Sequence, residues 1–221
     1  SSVGNTNMLS DYAAIKNGSY GKLMKAYYAK QDAEKLSGKG DTSQKLTLMK
    51  TSADSLKKSA DALNDSSLWE KKKIKKKDEK TGEEIEVEDY DWDKITKAVK
   101  SFVEDYNDVV KEAGESNTKD VLRNASWMTG MTDKNSNMLA KIGITIGKGN
   151  KLELDEDALK QADISSLKTV FTGYNSFVSK ISQKATGISN AANRASATYT
   201  NNGTYSKTDA SLTSSKIDKE V

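Results

Sequence analysis

Hydrophobic residues recur along this chain at alternating spacings of three and four, as in a helix that buries a narrow apolar seam. In a first segment the seam positions are Leu46, Met49, Ala53, Leu56, Ala60 and Leu63. In a second segment they are Ile95, Val99, Phe102, Tyr106, Val109 and Ala113. Heptad spacing favours packing on another long helix. Two seams of similar length predict an antiparallel pair of helices.

The boundaries of these two segments carry helix-ending signals. Two glycines make residues 37–40 a loop, and Asp41 or Thr42 can then cap the first helix by accepting hydrogen bonds from its free amides. Gly114 follows the second seam, at a position where helix ends often adopt the left-handed conformation. A further helix is predicted upstream, over residues 19–36.

The second half of the chain predicts shorter elements. Residues 117–142 have one apolar face, but the polar run 132–137 predicts a kink or break. Residues 143–154 alternate around Gly-Lys-Gly-Asn, which predicts a small hairpin. Asp155 can cap the helix that follows it. A last long helix begins near Tyr174, and its apolar stripe includes Phe177, Ile181 and Ile188 before it thins to alanine.

Charges of opposite sign are sorted onto two sides of one turn between the two seam helices. Lysines precede residues 79–82 and glutamates follow them, which predicts a hairpin that places Lys73 opposite Glu88, Lys75 opposite Glu86 and Lys77 opposite Glu84. Ile74, Ile85 and Val87 then share the other face. Trp69 and Trp92 stand at its base, where they are expected to pack on each other. Because acids neutralise the lysines directly after the turn, we do not expect a nucleic-acid or lipid site.

Composition argues against catalysis. The chain of 221 residues contains no Cys, His or Pro. The commonest general base, the thiolate nucleophile and the main soft metal ligands are therefore missing. No cofactor, metal ion or catalytic residue is expected. A net charge of +3 is too small to indicate nucleic acid. No apolar run is long enough to span a membrane, and no secretory signal is visible.

The alternating acids Asp89, Asp91 and Asp93 could indicate calcium, but they lack the Gly and the distant Glu of an EF-hand loop. We interpret them as acids that end a strand and cap the next helix. The predicted organisation is a flexible lead-in (1–18), a single helical domain (19–199) with hairpins at 70–90 and 143–154, and a flexible tail (200–221). The predicted fold is mainly α, an elongated antiparallel helical bundle or coiled coil with two short β-hairpins.

Several short motifs resemble the bacterial flagellar filament-cap protein (hook-associated protein 2) family. They are SFVEDYNDVV at 101–110, LAKIGITIGKGNKLELDEDAL at 139–159 and VFTG at 170–173. The likeness covers residues 95–190, and more loosely 42–69. The family carries large β-rich domains between its two helical halves, where this chain has only the charged hairpin. The resemblance implies a reduced form of that helical core.

The resemblance implies a non-enzymatic structural protein of the flagellar cap or filament-associated type, located extracellularly or on the bacterial flagellum. It would assemble through helices with copies of itself or with flagellin-like subunits, using an alanine-rich C-terminal seam that is underfilled in the monomer. The alternative is a secreted or surface-displayed adhesion module that keeps the helical core. The residues expected to carry packing or assembly are Leu46, Met49, Leu56, Leu63, Ile95, Val99, Phe102, Tyr106, Val109, Phe177, Ile181 and Ile188.

Overall fold

The structure is a computed structural model that describes residue 29 and residues 40–217, with side chains described as far as residue 198. The elements in chain order are α1 (Ser43–Leu63), β1 (Lys72–Lys77), β2 (Glu84–Asp89), α2 (Trp92–Gly114), α3 (Lys119–Lys134), α4 (Ser136–Ala140), β3 (Ile144–Ile146), β4 (Leu152–Leu154), α5 (Glu156–Gln161), α6 (Ile164–Phe171) and α7 (Phe177–Ile217). Short 3-10 turns cover Ser66–Trp69 and Lys148–Asn150. The mainly α fold with two short hairpins is confirmed. The lead-in and, apart from the helical Ala29, the predicted helix 19–36 lie outside the described residues.

Four long helices, α1, α2, α3 and α7, form an up-down-up-down bundle. The chain reverses through the β1–β2 hairpin between α1 and α2, and through a short loop between α2 and α3. On α7, the Ser189 hydroxyl donates to Asp54 at 2.6 Å and the Ser182 hydroxyl donates to Asp61 at 2.6 Å. From Asp54 to Asp61 the position on α1 increases by seven residues, while the partner position on α7 decreases by seven. The two helices are therefore antiparallel. The most extensive helix contact in the described chain is this α1–α7 pair.

The core lies along the facing seams of these helices. All twelve residues predicted for packing are at most 4% exposed, and they pack within one chain. Their role in assembly between chains stays a prediction.

An aromatic cluster closes the bundle at the hairpin end. Trp69 stacks on Phe171 with ring centroids 5.5 Å apart, and Phe102 lies edge-on to Phe171 and Phe177 at 6.4 Å each. The expected contact between Trp69 and Trp92 is wrong. The 3-10 turn after α1 directs Trp69 inward, where its indole N–H donates to the Leu63 carbonyl at 2.7 Å. Trp92 instead packs edge-on against Tyr90, at 6.2 Å.

Helix ends follow the sequence signals with one correction, at Gly114. Thr42 caps α1 by accepting from the Lys45 amide at 3.2 Å, which leaves Asp41 for another role. Asp91 and Asp155 cap α2 and α5 in the same way. Gly114, however, does not adopt the left-handed conformation. It is the last helical residue of α2, and Glu115 follows with φ −98°.

The predicted break in residues 117–142 occurs at Asn135, which separates α3 from α4. At the C-terminus, α7 continues helically to Ile217. The helix therefore continues past residue 200, into the segment 200–221 for which the sequence predicts a flexible tail. Of the helices in the described part of the chain, none is long and apolar enough to cross a membrane.

Candidate assembly surfaces

Side chains of the motif at 101–110 hold the small β3–β4 hairpin against the bundle. The Asn107 side chain donates to the Leu152 carbonyl at 2.9 Å and accepts from the Leu152 amide at 2.7 Å. Its neighbour Tyr106 is buried and donates to the Thr132 hydroxyl at 2.8 Å. Sequence reasoning assigned Tyr106 to the seam but missed Asn107, which the heptad count leaves between core positions. The sequence feature that could have indicated Asn107 is a side-chain amide directly after a tyrosine assigned to the buried seam.

Gly143 is required where this hairpin meets α5. Its φ is +86°, and a Cβ atom there would lie 2.7 Å from the Asp155 carbonyl oxygen. The Asp155 amide donates to the Gly143 carbonyl at 2.8 Å. The glycine of the Ile-Gly-Ile sequence is therefore sterically required, because only a residue without a Cβ atom can adopt this conformation so close to the Asp155 backbone. These contacts fix the position of β3, β4 and α5 on α2.

A single carboxylate ties the start of α1 to the α2–α3 loop. Asp41 accepts hydrogen bonds from the hydroxyls of Ser116 (2.6 Å) and Thr118 (2.7 Å) and from the amides of Asn117 (2.7 Å) and Thr118 (3.1 Å). Burial raises the pKa of Asp41, but these four bonds to the charged form outweigh burial and hold the pKa below 3.8. We call this arrangement the Asp41 clamp.

The α1–α7 seam is lined by small side chains. Ala53 and Ala60 on α1 and Ala185 and Ala192 on α7 are at most 1% exposed. The alanine-rich stretch predicted to be underfilled is therefore covered by the chain itself as far as Ala192, and Ala195 is partly buried. Its use in contacts between subunits stays a prediction.

Two ion pairs of the same type flank this seam. Lys50 pairs with Asp54 and Lys57 with Asp61, each four residues apart, and the two α7 serines complete them. Burial raises the pKa of Asp54, but the bonds from Lys50 and Ser189 and the nearby lysine charges bring it below 3.8. Burial also raises the pKa of Asp61. The hydrogen bonds from Lys57 and Ser182 and the charge of Lys57 outweigh burial and lower that pKa.

The charged hairpin has the register that the sequence predicts. Lys73 stands opposite Glu88, Lys75 opposite Glu86 and Lys77 opposite Glu84. On the other face Ile74 is opposite Val87, whereas Ile85 is opposite Lys76. Within this hairpin, all of whose residues are described, the ion pairs are Lys75–Glu84 at 3.8 Å, which joins diagonal neighbours, and Lys76–Asp89.

The turn of this hairpin is the predicted 79–82, since the Asp78 amide donates to the Glu83 carbonyl at 2.9 Å and closes the loop. Asp78 accepts from the amides of Lys80 (2.7 Å) and Thr81 (3.2 Å), and Gly82 has φ +73°. The two strands contact mainly each other, so the hairpin projects from the bundle. Its face with Ile74, Ile85 and Val87 remains open, with Ile85 40% exposed.

Another exposed feature lies on the α3–α7 face. Trp127 is 54% exposed, and the Lys184 ammonium of α7 sits 4.3 Å from the centre of its ring. The sequence analysis did not single out Trp127, because it falls outside the apolar stripe through Val121, Ala125 and Met128. An aromatic residue on the polar side of a helix was the signal. Among the described residues, no group of acidic side chains could hold a metal ion.

The comparisons with known proteins agree with the C-terminal motifs. The family model of the flagellar hook-associated protein 2 C-terminus matches residues 116–220. The match begins inside the Asp41 clamp and takes in α3 to α7. A search of the curated proteins and a search of the solved structures gave no match.

Proposed function

Since residues 116–220 belong to the flagellar hook-associated protein 2 family, we propose that the chain is a non-enzymatic structural protein of the flagellar cap or filament-associated type. It acts by helix-mediated assembly with other protein subunits, outside the cell on the bacterial flagellum. The observation that carries the proposal is the family match, which covers two of the four bundle helices.

The packing supports extending the proposal to the rest of the bundle. Of the matched helices, α7 packs on α1, and α3 packs on α2 as well as on α7. The Asp41 clamp joins residue 41 to residues 116–118. Removing α1 would expose the seam alanines and leave Ser182 and Ser189 without their carboxylate partners. The whole bundle, rather than the matched part alone, is therefore the proposed structural unit.

The chemistry of the chain supports a role without catalysis. It contains no Cys and no His, and several of its buried or half-buried polar side chains take part in packing. Asp41 and Tyr106, for example, use their hydrogen-bonding groups to join elements of the fold. Proteins are the proposed partners, namely further copies of the chain or flagellin-like subunits, with no nucleic acid and no membrane insertion.

Binding to flagellar filaments tests the proposal. Purified chain carrying a gold label is incubated with filaments polymerised from the flagellin of the same organism and viewed by electron microscopy. We expect labels at filament ends and few along the sides. The matched control is Asp41→Asn with Phe102→Ala, which is expected to loosen the bundle and lose the labelling. Wild-type chain that leaves filament ends unlabelled would contradict the proposal.

The second candidate is a surface-displayed adhesion or binding module that retains this helical core. The projecting hairpin favours it, because both its faces and its turn are accessible to a partner. The same filament experiment separates the candidates, since an adhesion module predicts no preference for filament ends. Binding to host or bacterial surfaces that Ile85→Glu abolishes would favour the second candidate.

A further inference from the structure

The charged hairpin has two free edges. In the described chain β1 and β2 form a sheet of two strands, so each strand has one edge without a partner. A free edge presents backbone amides and carbonyls that can pair with another strand. The edges are also chemically different, because lysines fill β1 and acids fill β2.

The alternation of hydrogen-bonded and non-hydrogen-bonded residue pairs along β1 and β2 identifies the residues that present these free backbone groups. The Asp78 amide donates to the Glu83 carbonyl at 2.9 Å, so these two residues form a hydrogen-bonded pair. In antiparallel sheets bonded and non-bonded pairs alternate. The residues whose backbone groups point outward are therefore Lys73, Lys75 and Lys77 on β1 and Glu84, Glu86 and Glu88 on β2.

Most of these outward-facing residues also carry a charged group that no ion pair within the hairpin engages. The hairpin uses Lys75 and Glu84 in one ion pair. Lys73, Lys77, Glu86 and Glu88 are exposed and form no ion pair among the described side chains. One edge thus offers free backbone groups with positive charge, and the other offers them with negative charge.

We propose that the hairpin is a head-to-tail assembly site, at which the basic edge of β1 in one copy adds to the acidic edge of β2 in a second copy. Pairing of two β1 edges or two β2 edges would place like charges opposite each other, which opposes those arrangements. Lysines on an edge normally prevent strand addition. Here they prevent it only against an edge of the same sign.

The proposed contact deepens the assembly role given above by naming its surface and its partner. Because each new copy again presents a free edge, the contact repeats and yields either a closed ring or an open chain. It rests on the proposed function only for its biological meaning, since self-association is measured without any flagellar protein.

Sedimentation velocity over a range of concentrations at low salt tests the proposal. We expect wild type to self-associate and to dissociate as salt screens the charges. Reversal of the β1 lysines at 73, 75 and 77 to glutamate makes both edges acidic and should weaken self-association at least about tenfold. Adding the reversal of Glu84, Glu86 and Glu88 to lysine swaps the two signs and should restore it.

A backbone variant separates strand addition from general charge attraction. Lys75→Pro removes an outward amide and leaves the inner ladder intact, whereas Lys75→Thr keeps that amide and loses the same charge. We expect the proline variant to self-associate several-fold more weakly than the threonine variant. Equal effects of the two, or wild type that stays monomeric at low salt, would overturn the proposal.

Wild type that labels filament ends but stays monomeric would refute only the hairpin contact. Hairpin-dependent self-association without filament binding would refute only the proposed function.

Discussion

The two ends of the bundle are held closed by different chemistry. At the hairpin end, Trp69, Phe102, Phe171 and Phe177 pack ring against ring, and no charged group is involved. At the opposite end, the Asp41 carboxylate accepts four hydrogen bonds from the loop that joins α2 to α3. Apolar contacts depend on shape and area, whereas the clamp depends on one ionised group. The two ends should therefore respond differently to mutation and to pH.

The largest effect is expected at the aromatic end. Phe102 is fully buried and touches three other rings, so Phe102→Ala removes the centre of the cluster and leaves a cavity. We expect the free energy of unfolding to fall by about 3–5 kcal/mol in urea denaturation. Phe102→Leu, which keeps most of the volume, is the control and should cost clearly less. A loss below about 1 kcal/mol for the alanine variant would show that the rings do not hold this end.

A smaller effect is expected from overfilling the seam that connects the two ends. Ala60 is fully buried between α1 and α7, so Ala60→Leu must push the helices apart. We expect a loss of about 1–3 kcal/mol in thermal or urea unfolding. Lys58→Leu places the same side chain at an exposed position of α1 and should change stability by less than about 0.5 kcal/mol. Equal effects at the two positions would mean that the seam has room.

The Asp41 clamp makes the other end sensitive to acid. The folded-state pKa of Asp41 is lowered, so its stabilisation is complete above the unfolded value near 3.8 and is lost as pH falls through the folded pKa. Asp41→Asn should cost about 1–2 kcal/mol at pH 7, since a charged acceptor is lost. The difference between variant and wild type should shrink toward pH 2. Urea denaturation at both pH values measures it, and a difference independent of pH would contradict the clamp.

Asp105 serves as an internal contrast in the same titration. Burial, helped by the charges of Asp108 and Glu104, raises its pKa, and the nearby Ser59 hydroxyl acts in the opposite direction. A raised pKa means that the protonated form is favoured in the folded state, so falling pH adds stability at this position. Asp105 therefore opposes Asp41, Asp54 and Asp61, and only the comparison with Asp41→Asn isolates the clamp.

The seams could be predicted from the sequence because their information is local. Period and spacing assign residues such as Leu56 and Val99 to a buried face, and the sorted charges predict the register of the β1–β2 hairpin. The contacts that join distant segments could not be predicted. Asp41 with Ser116, Asn107 with Leu152 and Trp69 with Phe171 involve polar or aromatic residues whose partners lie 45 or more residues away. Nothing in the local pattern distinguishes Asp41 as a clamp from Asp41 as a helix cap.

The smallest effect on the bundle is expected from the hairpin, which packs on neither seam. Lys75→Glu places like charges opposite Glu86 and removes the pair with Glu84, whereas Lys80→Glu changes a charge in the open turn. Because the hairpin projects, both variants should leave the unfolding of the helices within about 0.5 kcal/mol of wild type. Amide exchange of the β1 and β2 residues should separate them, because each cross-strand pair contributes about 0.2–1 kcal/mol. Faster exchange in Lys75→Glu than in Lys80→Glu is expected. Equal exchange in the two would mean that the opposed charges do not stabilise this register, and that the turn at Asp78 and the backbone ladder set it alone.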